Sequence, residues 1–356
     1  MDNNEQTVYM SELLMSKHPE TCKTLIGILE KHRVNYSFIK GTKDIWCRDY
    51  MPVQTESGKL IQFKYEPSYL SGEKWDDIRT DVHEVCKMNG LTPQFSDINL
   101  DGGNVLICEG RAILTDRIFD ENPKVEKDTL INKLAKLLEC EIIIIPSLRS
   151  KEEDFTGHAD GMVRFVDRNT ILGNRLSDEY KYIQKGIQKV IDQYGLKYID
   201  VPFFINKKHP DSAIGIYVNY LEVNNLIVLP FFNRDEDNQV LEILQKTFPK
   251  KHIETINYND IAQEGGLLNC TTWVVKKKDS FINKSITRPS AISKGLQYLN
   301  DRGWSELIDS RWTIDVREEL EQSGLNLTED EIIKICNIVI VPEPDWNTKE
   351  RLNNLL

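Results

Sequence analysis

Short apolar runs of strand length alternate with amphipathic helical stretches through the first three quarters of this chain, and a helix–strand–turn unit recurs five times. The units span 19–53, 74–116, 128–172, 179–230 and 239–276. Strands are expected at NYSFIK, KLIQFKY, NVLIC, AILTD, EIIIIP, MVRFV, TILG, IYVNYLEV and NLIVLPFF, and helices at PETCKTLIGILEKH, KWDDIRTDVHEVCKMNG, KDTLINKLAKLLE, DEYKYIQKGIQKVIDQYG and NQVLEILQKTF. Helices with one apolar stripe and strands with apolar faces must cover one another, so the pattern predicts an α/β chain. Five such units would close into a ring with their strand ends facing a central site.

The chain's 356 residues, 40% of them hydrophobic, are enough for a globular core. A formal net charge of -11 argues against a nucleic-acid footprint and is compatible with attracting small cations. No apolar run is long enough to span a bilayer, so no membrane partner is expected. The start, MDNNEQTVYMSELLMSKHPE, has no basic region followed by an apolar run, which predicts a cytoplasmic protein. Seven scattered cysteines without a CxxC pair point to reduced thiols. After residue 276 the pattern changes: KKKDSFINKSITRPS reads as a linker, followed by helical candidates including AISKGLQYLNDRG, DVREELEQSG and TEDEIIKICNI. Residues 1–276 are therefore expected to form the main domain and 277–356 a helical extension packed on it, contacting another subunit or covering the site. A homo-oligomer is compatible with this reading.

Four stretches set a reactive polar group beside glycine or a strand end: IWCRDYMPV, LDGGNVL, TGHADGMVRF and EGGLLNCTTW. Cys270 follows Gly265 and Gly266, where backbone can approach a ligand and the thiol need not be buried. A histidine able to move protons would make it a candidate nucleophile. Of six histidines, His18, His32, His83, His209 and His252 have surroundings that suggest solvent-facing roles, whereas His158 is flanked by Gly157 and Asp160 at what reads as a strand start. Two apart on a strand, His158 and Asp160 would share a face. The pair could be a chance surface feature, two metal ligands, or a base beside a cation-binding carboxylate.

Carboxylates narrow the substrate. Asp49, Asp101 and Asp160 all lie near glycine, proline or strand ends. Three carboxylates around a cysteine would repel the oxyanion of an acyl transfer, which needs donors instead. They would hold a planar cation with several N–H groups well, each charge-assisted hydrogen bond contributing about 1.5–3 kcal/mol. A small cationic guanidino substrate suits them.

Taken in order, these stretches resemble the agmatine deiminase and bacterial-type peptidylarginine deiminase group of guanidino-group-modifying enzymes. IWCRDYMP is similar to that family's W-x-R-D-x-G-P element, LDGGN to its acidic-Gly-Gly element, and GHADGMVRF to G-H-x-D-x-x-x-R-F. IYVNYLEVNN is similar to S-Y-x-N-F-Y-x-x-N, and EGGLLNC to G-G-x-x-H-C. The resemblance covers roughly residues 7–275 and implies the five-bladed pseudo-symmetric α/β propeller called the pentein fold. It implies Cys270 as nucleophile, His158 as general acid and base, Asp101 as the residue orienting the histidine, and Asn219 as an active-site asparagine. Asp49 and Asp160 are implied to grip the guanidinium, with Trp46 and Arg48 as further substrate-binding residues. The implied reaction is hydrolysis of a guanidino group to a ureido group and ammonia, with agmatine as substrate or, alternatively, peptidyl-arginine. No metal or organic cofactor is expected. Three positions depart from the pattern: Met51 replaces a glycine, Asp101 a glutamate and Asn269 a histidine. Met51 and Asn269 are expected to touch the substrate's tail or the rim of its site. A different class of reading is a binding protein that keeps the shape and recruits partners through residues 280–356.

Overall fold

Five three-stranded sheets carry the fold, each built on one rule: the middle strand runs antiparallel to one neighbour and parallel to the other. A parallel pair needs a crossover, and in every sheet a helix supplies it. Strands β3 (Val53–Gln54), β4 (Leu60–Lys64) and β5 (Gln94–Asn99) form one blade, with helix Val82–Met88 joining β4 to β5. The next contains β6 (Leu106–Cys108), β7 (Arg111–Thr115) and β8 (Glu141–Ile145), with helix Lys127–Leu138. Strands β9 (Val163–Asp167), β10 (Thr170–Asn174) and β11 (Lys197–Val201) carry helix Lys181–Tyr194. A fourth blade has β12 (Leu221–Val223), β13 (Leu226–Phe231), β14 (His252–Asn257) and helix Asp235–Thr247. The fifth joins distant ends of the sequence: β15 (Trp273–Lys276) pairs antiparallel with β1 (Gln6–Ser11), which pairs parallel with β2 (Asn35–Ile39) across helix Pro19–Lys31. This is the five-bladed pentein arrangement. The computed structural model describes residues 6–149, 156–204 and 212–276, and scattered residues between 298 and 341.

Local signals account for the helices. Pro19 stands at the first turn of its helix, where its missing N–H costs nothing. Asp81 caps Val82–Met88 by accepting from the His83 and Glu84 amides. Ile183, Ile187 and Val190 fall on one buried face of Lys181–Tyr194, and Gly195 ends it at φ 63°. The helix expected over 74–90 is shorter than its periodicity suggests. Trp75 and Ile78, which helped make the apolar pattern, line a cavity instead of a core, and Asp81 starts the helix after them.

The five-fold repeat is present with a shifted phase. Each unit read from the sequence takes the helix and last strand of one blade with the first strands of the next. The third strands QFSDIN, KYIDV and HIETIN were not among the expected strands because each buries only one residue fully, leaving no apolar run. QTVYMS (β1) was likewise not expected. The strand expected over 216–223 begins only at Leu221.

The chain divides into two compact units, Met1–Asn283 and Lys284–Leu356. The linker expected from 277 lies outside the described residues. In the second unit, the helix expected at DVREELEQSG runs Thr313–Glu321, with Val316 and Leu320 in an apolar cluster that includes Leu299, Ile332 and Ile335. That unit also has a two-stranded parallel pair, Ile308–Asp309 with Ile340–Val341, so it is not purely helical. Among the described residues no helix is long and apolar enough to cross a membrane.

Candidate active site

Every connection from the third strand of one blade to the first strand of the next delivers part of one site. Trp46, Arg48 and Asp49 lie between β2 and β3, Asp101 between β5 and β6, and His158 and Asp160 between β8 and β9. Asn219 lies between β11 and β12, and Cys270 between β14 and β15. Asp49 is on a one-turn helix, Cys47–Tyr50, tethered where Asp44 accepts from the Trp46 amide at 2.8 Å and the Tyr50 hydroxyl donates to the Asp44 carbonyl at 3.0 Å. His158 and Asp160 are not on a strand: His158 precedes a 3-10 turn, Ala159–Gly161, and β9 begins at Val163. The turn, not strand alternation, brings them together. Asn104 pins it by accepting from the Ala159 amide at 3.2 Å and the Thr115 amide at 2.9 Å.

Two glycines allow the close approach. A Cβ on Gly103 would lie 2.5 Å from Asp49 Oδ1 and 2.9 Å from His158 Nδ1. In its absence the Gly103 amide donates to Asp49 Oδ1 at 3.1 Å. A Cβ on Gly266 would lie 2.3 Å from Trp46 Cζ3, so the indole packs directly on the backbone before Cys270.

The assembled groups form one network. His158 Nε2 is 2.8 Å from Asp101 Oδ2, which also accepts from the Tyr69 hydroxyl at 2.7 Å. His158 Nδ1 lies 3.6 Å from Asp49 Oδ1. Cys270 Sγ is 3.7 Å from Asp160 Oδ2 and accepts from Asn219 Nδ2 at 3.3 Å. Asn219 Oδ1 in turn accepts from the Asn269 amide at 3.0 Å and the Cys270 amide at 3.4 Å. The Arg48 amide donates to the Cys270 carbonyl at 3.0 Å, tying the first connection to the last.

Burial sets the electrostatics. Asp160, His158, Asp101 and Asp49 are 1%, 5%, 7% and 9% exposed, so little water screens them. Burial raises Asp49 above the usual carboxylate range, against the pull of His158. For His158 burial alone would lower the pKa; the charge of Asp49 and the hydrogen bond and charge of Asp101 outweigh it and raise the imidazole to about 10. Burial, then Asp160 and Asp49, push the Cys270 thiol well above its ordinary value. These influences together favour an imidazolium and a neutral thiol, with carboxylates directed at the space between them.

That space opens into a cavity of about 320 Å³, lined by Cys270, His158, Asp49, Asp160, Asn219 and Trp46 among others. Aromatic side chains, including Tyr65 and Trp75, wall it, and Asp44 and Glu264 add carboxylates. Among the described residues no Lys or Arg lines it. Arg48, expected to bind substrate, does not face this cavity: its guanidinium Nε donates to the Asn269 carbonyl at 3.3 Å. With Met51 and Asn269 it lines a separate cavity of about 440 Å³. Met51 and Asn269, expected at the substrate's tail or the rim of its site, are buried and do not line this cavity. His18 and His32 are not solvent-facing either. His18 Nε2 lies 3.0 Å from Glu264, and His32 Nε2 lies 2.7 Å from Glu254. His209 lies outside the described residues. Sequence reasoning missed Tyr69, which sits in KYEPSYLSGEKW, a segment with no periodicity or motif to mark it. It also passed over Asn104 and Arg164, although both stand inside the quoted motifs.

Comparison with known proteins agrees with this architecture. A solved agmatine deiminase from C. jejuni with substrate bound is 18% identical, with a TM-score of 0.63 over 77% of this chain and 94% of that one. The agmatine deiminase of Enterococcus faecalis is 17% identical, with a TM-score of 0.60 over the same shares. At these identities the likeness establishes the fold. A Latilactobacillus sakei protein provisionally named an agmatine deiminase is 24% identical over 248 residues, 60% of this chain and 66% of that relative, just under two thirds of its length. The family model for the Porphyromonas-type peptidyl-arginine deiminases matches residues 5–275, which include all the residues of the site, and the chain belongs to that family.

Proposed function

We propose that this protein is a cysteine-dependent deiminase that hydrolyses agmatine to N-carbamoylputrescine and ammonia. The observation that carries the reading is the buried pair Asp49 and Asp160 beside Cys270 and His158, in a cavity without a described Lys or Arg. A guanidinium between the carboxylates satisfies both and presents its carbon to the thiol. Its positive charge opposes the influences that hold the thiol neutral, so Cys270 releases its proton to solvent as substrate binds. Sγ then adds to the guanidinium carbon, a C–N bond breaks, and His158 gives the proton with which ammonia leaves. Nε2 is engaged by Asp101, so Nδ1 is the atom directed at the reacting group. The S-alkylthiouronium stays between the carboxylates. His158, now neutral, takes a proton from water as its oxygen adds to the same carbon. The C–S bond breaks and the new hydroxyl's proton passes to the departing sulfur, leaving a neutral ureido product and the thiol, while the ammonia takes up the proton released on binding.

Agmatine suits the rest of the cavity. Aromatic walls match its methylene chain, and its far ammonium meets Asp44 and Glu264, whereas the carboxylate of free arginine has no described cation to meet. Cys22, Cys47, Cys86, Cys108, Cys140 and Cys270 are free thiols, which supports a cytoplasmic enzyme. Ammonia release measured with agmatine, arginine and a C-terminal arginine peptide tests the reading. The expected order puts agmatine first by at least about tenfold in kcat/KM. Release from the peptide alone would favour peptidyl-arginine, and release from none would remove the deiminase reading.

A further inference from the structure

Asn269 stands where the resemblance leads one to expect histidine, does not line the substrate cavity, and yet uses every polar atom it has. Its backbone amide donates to Asn219 Oδ1 at 3.0 Å, and its carbonyl accepts from Arg48 Nε at 3.3 Å. Its side-chain Nδ2 donates to Asp160 Oδ2 at 2.7 Å, and Oδ1 accepts from Arg164 Nη1 at 2.8 Å. The orientation of this amide is unambiguous. A guanidinium has no acceptor, so only the carbonyl oxygen can face Arg164, which leaves the NH₂ for the carboxylate. Arg164 is itself held with its guanidinium 4.9 Å from the Tyr220 ring centroid. Among the described residues neither Arg48 nor Arg164 has a carboxylate partner within ion-pair distance.

We infer that Asn269, anchored on Arg164, is a positioning residue that holds one oxygen of Asp160 as an ionised acceptor and leaves the other for the substrate guanidinium. The inference rests on the deiminase reading for its kinetic consequence only. Asp160 is surrounded by groups that act on its charge: Asp49 and Arg48 from the one-turn helix, His158 from its own turn, and Cys270 from the last connection. Asp49 has the same charge type as Asp160, and Arg48 and His158 have the opposite one. Asn269 adds a directed hydrogen bond to that carboxylate without adding charge. The histidine of the resembling motif could do the same, since a neutral imidazole offers one N–H and one lone pair to the same two partners.

Three proteins test this. In Asn269→Asp the shape is kept, the donor is lost and a second carboxylate faces Asp160 Oδ2. In Asn269→His the donor–acceptor pair is kept, and in Asn269→Leu the donor is removed without new charge. For Asn269→Asp the expected result is a fall in kcat/KM of about 100-fold at pH 7, with recovery as pH rises, because the shared proton must leave before Asp160 can grip a cation. Asn269→His should keep the wild-type pH profile. Parallel losses in all three with unchanged profiles would mean a merely structural role and overturn the inference. A second readout does not need turnover: the carboxyl ¹³C titration of Asp160, assigned by its loss in Asp160→Asn. Its midpoint should move up in Asn269→Asp and Asn269→Leu but not in Asn269→His, and an unmoved midpoint overturns the inference. Wild-type protein inactive on every guanidino compound would sink the deiminase reading while leaving the ¹³C result to decide this one.

Discussion

A half-buried thiol under the charge of two carboxylates is a poor nucleophile until a cation arrives, and this can be measured on Cys270 directly. The alkylation rate of Cys270 by iodoacetamide in the free protein should still be climbing above pH 9, because burial, Asp160 and Asp49 all disfavour the thiolate. Replacing Asp160 with Asn removes one negative neighbour, so the midpoint should move down. A midpoint near pH 7 in the wild-type protein would contradict the substrate-dependent ionisation. At this scale the groups that the fold brings together in the candidate site were legible in the sequence: a cysteine after two glycines, a histidine beside an aspartate, and further aspartates at loop mouths are residue types with few alternative uses together. The supporting contacts were not. Arg48 was expected on the substrate and instead donates to the Asn269 carbonyl, and Tyr69 reaches Asp101 from a stretch without any pattern. Which neighbour a polar side chain finds depends on chain segments tens of residues away.

At the scale of elements, function sits in the short turns between blades, and their geometry tolerates little. In Gly103→Ala the added methyl would start 2.5 Å from Asp49 Oδ1 and 2.9 Å from His158 Nδ1. One of the two must move, so kcat/KM should fall about 100-fold or more while the melting temperature stays within a few degrees. Near-normal kcat/KM would show that the turn can yield without moving either group. The helices were legible because their apolar stripes repeat every three or four residues and a glycine such as Gly195 stops them, although the start at Asp81 was not. The outer strands β5, β11 and β14 were not, because an edge strand that buries one residue fully has no alternation strong enough to read. The turn at Ala159–Gly161 was mistaken for strand for a related reason: its residues continue into β9 without a break in composition.

Over the whole molecule, closing the ring joins residues more than 260 positions apart in sequence, β1 with β15. Trp273 fastens that seam: it is 4% exposed, its Nε1 donates to the Pro52 carbonyl at 2.7 Å, and its ring centroid lies 5.2 Å from that of Tyr9. Trp273→Ala should therefore cost about 3–5 kcal/mol of stability, read by denaturant unfolding, and lower activity through the adjacent Cys270 connection. A loss below about 1 kcal/mol would show that the blade closes without it. The sequence by itself determined the α/β class, the five-fold count and the polar side chains that meet in the candidate site, because each of these follows from local periodicity or from residue chemistry. Only the tertiary structure decided the phase of the repeat, the strand that closes the ring, the removal of Arg48, Met51 and Asn269 from the substrate cavity, and the network that sets the proton positions of His158 and Cys270. Those depend on which distant segments pack together and on how much water they exclude, and neither quantity is carried by any single stretch of chain.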